Sequence, residues 1–296
     1  MSVPYCLGCR KKTGEDKYII IFMKNIFIVN DDSVKSPGLS VLVKSLEKEH
    51  RLTVVTTKHF KSWTAKAITY NKEVTFEEGL VSKSKAYIID GYPADCVNIG
   101  LNHLVKEKQD LVVSGINVGE NTTDSWTLSS ATVAAALEGI ICGTKGIAIS
   151  QQLSSDEIYE EVTTNLTDKH VSQYEKYFRL SGKFAKVVTE YILINQLPLE
   201  IKILNINIPP EEIYKGKWLI TKPYHWSYGS LFTRTPNGFI KTGGGFTEDK
   251  VKEQGTDIWA IQNGYISITP YDLPMQPVIN QKVDNYFSKL PQLISV

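Results

Sequence analysis

Asp31 and Asp32 stand just after Asn30, at the end of the apolar run Ile26–Val29. Adjacent carboxylates at a strand end are hard oxygen ligands, suited to Mg²⁺ or Mn²⁺. Turns and helix caps use Asp as well, so the pair gains chemical meaning only from its company. Three other polar segments supply that company. Lys58–Thr69 is a polar loop that contains Ser62. Ser114–Asn121 carries Gly115 and Gly119, which permit tight turns and close backbone approach to a ligand. Its Asn117 offers a neutral oxygen to a cation and an amide to a phosphate. Ser129-Ser130-Ala131-Thr132 opens an alanine-rich stretch. Hydroxyl residues cap the free N–H groups of a helix start, and those groups bind phosphate. Neither G-x-x-x-x-G-K-[ST] nor G-x-G-x-x-G occurs, which argues against the common nucleotide loops and a dinucleotide-dependent oxidoreductase. The histidines are scattered with no zinc-type spacing, and the lone Cys6-Leu7-Gly8-Cys9 reads as two free thiols.

Something must bring these four segments together. Apolar runs at Ile26–Val29, Leu52–Val55, Ala86–Ile89, Asp110–Val113 and Gly146–Ser150 read as strands. Between them, Leu39–Glu49, Ala94–Lys106 and Ala131–Gly143 read as helices. Short apolar strands alternating with helices predict an α/β fold, a Rossmann-like, mostly parallel sheet covered on both faces. Ligands in such sheets bind beyond the carboxyl ends of the strands, where all four polar segments fall. A helix is expected over Ser172–Leu193 and a strand over Ile203–Ile208. Residues 211–270 read as β-hairpins rather than further βα units, and Val278–Leu290 as a terminal helix. The expected organisation is a tail at 1–22, a domain at 23–272 with its α/β core at 23–210, and a C-terminal segment at 273–296.

The chain has 296 residues, 42% of them hydrophobic, ample for a large core. Thirty-three basic and 32 acidic residues leave a net charge of +1, which argues against a nucleic-acid partner. No apolar run approaches the roughly 20 residues that span a bilayer, and no signal-peptide pattern is present. A cytoplasmic location is the expectation.

The order of motifs is more specific than any one of them. Ile28-Val29-Asn30-Asp31-Asp32 with Pro37-Gly38 resembles the opening signature of the SurE (survival protein) family of 5′-nucleotidases. Gly91-Tyr92-Pro93-Ala94-Asp95-Cys96-Val97 resembles its G-x-P-A-D-C-V segment, and Asp110–Gly119 its D-L-V-V-S-G-I-N-x-G segment. Ser130-Ala131-Thr132-Val133 through Leu137-Glu138-Gly139 resembles its S-G-T-V…E-G helix. Leu204–Pro209 and Gly264–Pro270 are also similar, so the resemblance runs from about Met23 to about Asp272.

The resemblance implies a phosphomonoesterase that hydrolyses nucleoside 5′-monophosphates with a divalent cation, Mg²⁺ or Mn²⁺. It implies metal ligands Asp31, Asp32, Ser62 and Asn117. Of these, Asp31 and Asp32 are the catalytic candidates. A phosphate cradle follows at Ser130, Ala131 and Thr132, with Asn117. Either water attacks phosphorus, or one of the two carboxylates acts as base or nucleophile. Homodimers or homotetramers are implied as well. The chain departs from the family pattern in several places: Ser33 replaces the glycine after the Asp pair, Thr56-Thr57 and Trp63 the Ala-Pro and glycine of the ligand-serine loop, and Ala131 the glycine of S-G-T, while Glu120–Leu128 departs from the bacterial pattern. The alternative reading is a non-catalytic nucleotide or metal sensor on the same fold.

Overall fold

The structure is a computed structural model that describes residues 9–12, 18–21, 23–164, 171–242 and 250–272. Two short strands in the expected tail, β1 (Cys9–Lys12) and β2 (Tyr18–Ile21), pair with each other antiparallel and stay outside the main sheet. The main chain then runs β3 (Asn25–Asn30), α1 (Pro37–Leu46), β4 (Arg51–Thr57), β5 (Phe76–Val81), β6 (Ser84–Ile89), α2 (Pro93–Ile99), β7 (Leu111–Val118), α3 (Thr123–Ser129), α4 (Ala131–Ile141) and β8 (Gly146–Gln151). It continues through α5 (Asp156–Thr164), α6 (Val171–Tyr174), α7 (Arg179–Asn195), β9 (Ile203–Ile208), β10 (Trp218–Ile220), β11 (Phe232–Thr235), β12 (Gly238–Lys241), α8 (Asp257–Gln262) and β13 (Ile266–Tyr271).

Nine strands form one sheet in the order β10-β13-β9-β8-β7-β3-β4-β6-β5. From β9 to β6 every pairing is parallel, whereas β5 and β13 join antiparallel. The central strand β3 is buried on both faces. Ile26 and Ile28 pack into one hydrophobic cluster with Leu39 and Leu42 of α1 and Val188 and Ile192 of α7. Phe27 and Val29 pack into another with Cys96 and Val97 of α2 and Ala135 of α4. The period-two alternation of a strand thus divides one apolar run between two helical layers. Each such aliphatic side chain contributes about 1.5–3 kcal/mol by leaving water.

Helix α1 starts where the sequence signals it. Ser36 Oγ accepts from the Leu39 N–H, and Pro37 takes the first helical position. The next residue must be glycine: a Cβ on Gly38 would lie 2.0 Å from the Ile116 carbonyl oxygen of β7. That contact lets α1 sit directly over the end of β7.

The α/β sheet expected from the sequence is the observed one, and the elements around it differ in detail. The helix expected over Ala94–Lys106 is α2 followed by a π-helical turn, Gly100–Leu104. β5, α3, α5 and α8 were not expected, and the helix expected over Ser172–Leu193 is α6, a 3-10 turn (Glu175–Phe178) and α7 in succession. The described residues of the region 211–270 hold a single hairpin, β11–β12, while β10 and β13 pair parallel and extend the main sheet past β9. The expected terminal helix over 278–290 lies outside the described residues.

Candidate active site

From β3 the chain goes to β4 on one side, and it later returns to build β7 on the other. The carboxyl ends of β3 and β7 therefore flank a topological switch point, where a crevice opens in folds of this kind. Asp31 and Asp32 leave the end of β3. Across the crevice the β7–β8 register shifts between Ser114 and Asn117. β7 resumes after this irregularity, so Asn117 is a strand residue rather than a loop residue, and the Val118 N–H is free to donate to Asp32 Oδ2 at 3.0 Å.

A cleft of about 300 Å³ opens at this point. Asp31, Ser62, Asn117, Ser130 and Ala131 all line it. Asp32 sits behind Asp31, 1% exposed, and its N–H donates to Asn30 Oδ1 at 2.7 Å. Thr132 is likewise behind the wall, its hydroxyl donating to Asp31 Oδ1 at 2.7 Å. Ser130 Oγ accepts from the Val133 N–H at 3.1 Å and caps α4, leaving its own proton for a ligand. The N–H groups of Ala131 and Thr132 belong to the first turn and have no intrahelical acceptor.

Burial pushes the Asp31 carboxyl up to about 6. Burial, and then the neighbouring Asp31 charge, push Asp32 well above the usual carboxylate range. Among the described residues no Lys or Arg pairs with either carboxylate. Two buried acids without a cation are a costly arrangement that a bound metal ion relieves. Both amide hydrogens of Asn117 are spent on the Val118 and Gly119 carbonyls, at 3.2 and 2.7 Å. Its Oδ1 is thereby the atom left to meet a ligand, and the phosphate-donor role expected for its amide is filled inside its own turn. Asp31, Asp32, Asn117 and Ser62 together offer only oxygen, half of it neutral, which fits Mg²⁺ or Mn²⁺. No group of three or more His, Cys, Asp or Glu is placed to hold a metal ion among the described residues, so no zinc-type cage is present among them.

The loop that carries Ser62 is fastened at four points. The Lys61 N–H donates to the Asp31 main-chain carbonyl at 2.9 Å, and the Ala65 N–H to the Ser129 carbonyl at 3.1 Å. Lys66 Nζ meets the buried Glu138 carboxylate at 2.7 Å. The Thr69 N–H and hydroxyl both donate to the Asp95 carboxylate, at 3.0 and 2.6 Å. Asp95 and Glu138 belong to two of the sequence motifs noted above, and here they act as anchors for this loop.

Tyr159 of α5 was not singled out in the sequence. It lines the cleft together with Ser62. Burial first, then the Asp32, Asp31 and Glu120 charges, push its phenol up to about 12. Nothing in the polar stretch Asp156–Thr164 flagged it, since only Val162 there is fully buried. Asn205 and Asn207 were also missed as site residues. Their side chains meet the backbone of Asn121 at the far lip of the cleft. Two buried asparagines alternating in an otherwise apolar strand were the available signal.

The family profile described as Survival protein SurE matches residues 26–230. The chain belongs to the SurE family. A "5'-nucleotidase SurE" of Clostridium beijerinckii is 32% identical over 249 residues, 83% of this chain and 92% of that protein. One of Archaeoglobus fulgidus is 32% identical over 254 residues, 84% of this chain and 92% of that protein. The crystal structure of the SurE protein from Aquifex aeolicus superposes with a TM-score of 0.66 at 29% identity, covering 90% of this chain and 99% of that one. The fold accounts for two glycines of the SurE pattern that this chain replaces at a conformational cost. Ser33 and Trp63 stand at glycine positions of that pattern, and their φ angles are +78° and +60°, in the left-handed region that favours glycine. Ala131 replaces glycine at a helix start, where ordinary backbone serves.

Proposed function

We propose that this protein is a divalent-metal-dependent 5′-nucleotidase that hydrolyses nucleoside 5′-monophosphates to nucleoside and phosphate. The observation that carries the proposal is the buried Asp31–Asp32 pair at the switch point, sharing one crevice with Asn117, Ser62 and the start of α4. The relatives named 5'-nucleotidase SurE support it. The alternative, a non-catalytic sensor, draws no support from this site.

Asp31, Asp32, Asn117 and Ser62 would hold Mg²⁺ or Mn²⁺. When bound, the ion withdraws charge from a phosphate oxygen and lowers the pKa of a water. The Ser130 hydroxyl and the first-turn N–H groups of Ala131 and Thr132 hold the other phosphate oxygens. Thr132 fixes the rotamer of Asp31, and the Val118 N–H fixes Asp32. Asp31 lines the cleft and Asp32 does not, so Asp31 is the carboxylate that meets the substrate. In hydrolysis the oxygen of water bonds to phosphorus, the P–O5′ bond breaks, and the nucleoside oxygen leaves with a proton. The 300 Å³ cleft is at the small end of ligand sites, which suits a mononucleotide.

We extend the proposal to a homodimer or homotetramer in the cytoplasm. Phe239 and Ile240 of the β11–β12 hairpin are 72% and 56% exposed, an apolar tip suited to a second copy. No helix among the described residues is long and apolar enough to cross a membrane.

The test is phosphate release from AMP and other nucleoside monophosphates, with Mn²⁺ or Mg²⁺ and then with EDTA. Release that requires metal and disappears in folded Asp31→Asn supports the proposal. Protein that stays inert with every metal, or Asp31→Asn with parental turnover, refutes it.

A further inference from the structure

We propose that Trp63 is the wall on which the aromatic base of the substrate stacks, so that it sets a preference for nucleoside monophosphates over small aliphatic phosphomonoesters. This rests on the nucleotidase reading of the site. Trp63 follows Ser62 directly and lines the same cleft as Asp31. Its φ of +60° is unfavourable for a bulky side chain. Backbone strain of this kind persists where surrounding structure enforces it, and it gathers at ligand sites. Burial does not account for the residue, because Trp63 remains 38% exposed.

The indole is nonetheless held in place. Tyr228 meets it edge-on with ring centroids 6.1 Å apart, and Trp226 meets Tyr228 in the same manner at 5.7 Å. Trp126, also in the cleft lining, packs edge-on against Trp226 at 5.1 Å. Lys241 Nζ lies 4.2 Å from the Trp63 ring centroid, within cation–π range. A fixed, partly exposed indole beside a phosphate site presents a planar π surface at the distance of one residue from a metal ligand. A planar heterocycle gains from such a surface, and a glycerol backbone does not.

The test compares kcat/KM for AMP with that for glycerol 2-phosphate in the parent, Trp63→Leu and Trp63→Phe. Adenosine binding, measured by calorimetry without metal, is read in the same three proteins. Losing one stacked base typically lowers affinity by roughly fivefold to a hundredfold or more. The AMP-to-glycerol-phosphate ratio should therefore fall at least roughly fivefold in Trp63→Leu and hold in Trp63→Phe, with adenosine affinity moving in parallel. Because both esters share one phosphate site, damage to Ser62 cancels in the ratio. An unchanged ratio in Trp63→Leu overturns the proposal and leaves the nucleotidase reading intact. A parent that cleaves neither ester sinks the nucleotidase reading, and adenosine calorimetry then decides alone. Binding lost in Trp63→Leu upholds the wall; binding that survives in Trp63→Leu, or is absent from the parent, overturns it.

Discussion

Thr132 Oγ1 donates to Asp31 Oδ1 at 2.7 Å, joining two residues 101 positions apart in the chain. Hydrogen bonds to charged groups contribute about 1.5–3 kcal/mol. Thr132→Val keeps the shape and removes the donor. Its kcat at saturating Mn²⁺ should fall about tenfold or more, since each tenfold corresponds to about 1.4 kcal/mol. Thr132→Ser should stay near the parent. Equal rates in Thr132→Val and the parent would show that the bond does not orient Asp31.

Asp95 holds Thr69 and, through the Tyr92 N–H at 2.8 Å, the start of α2. Asp95→Ala strips partners from buried donors, at a cost of about 1–3 kcal/mol each. We expect a lower melting temperature together with weaker Mn²⁺ binding, because Ser62 rides on the loop that Thr69 closes. Mn²⁺ titration by calorimetry checks the second effect. A destabilised variant with parental Mn²⁺ affinity would confine Asp95 to folding.

Ser33 occupies left-handed backbone at φ +78°, which costs a non-glycine residue about 1–2 kcal/mol. Glycine there relieves the strain and gives back roughly 0.5–1 kcal/mol through chain entropy. Ser33→Gly should raise the melting temperature by roughly 1–3 °C. A drop in scanning calorimetry would mean that the hydroxyl contact to the Lys35 N–H outweighs the strain.

Asp257 accepts from the N–H groups of Thr123 and Tyr224 at 2.8 and 3.0 Å. Burial nevertheless pushes its carboxyl from 3.8 up to about 6. Because the folded value is the higher one, the associated stability is complete below about 4 and is lost as pH rises through about 6. The loss can reach about 3 kcal/mol, at 1.36 kcal/mol per unit of pKa. Unfolding free energies from pH 4 to pH 7.5 should decline in the parent and decline less in Asp257→Asn. A steeper slope in the variant would contradict this sign.

The central strands were legible because burial on both faces demands unbroken apolar runs such as Ile26–Val29. The edges were not. β5 reads Phe-Glu-Glu-Gly-Leu-Val and is mostly exposed, so neither face imposes a pattern. β10 and β13 looked like hairpin material because their partners are distant in sequence: β10 pairs with β13 across a 45-residue connection (residues 221–265) that holds a hairpin and α8. Asp31, Asn117 and Ser130 could be read as a group because each follows or opens a recognisable element. Ser62 had no such marker: its loop is held by two backbone hydrogen bonds and by Lys66–Glu138 and Thr69–Asp95, pairings between residues far apart in sequence. Tyr159 escaped notice because a tyrosine in a polar helix carries no period that points inward.

The register shift in β7 has a consequence for assembly. Asp32 finds the Val118 N–H 86 residues downstream, and only after α1, β4, β5, β6 and α2 have been laid down between them. No local fragment can therefore assemble the four proposed metal ligands. Contacts this distant in sequence form slowly, so metal uptake should follow folding rather than guide it. A cation that binds only the finished chain stabilises it by mass action, and chelation would then be felt across the whole sheet rather than in one loop.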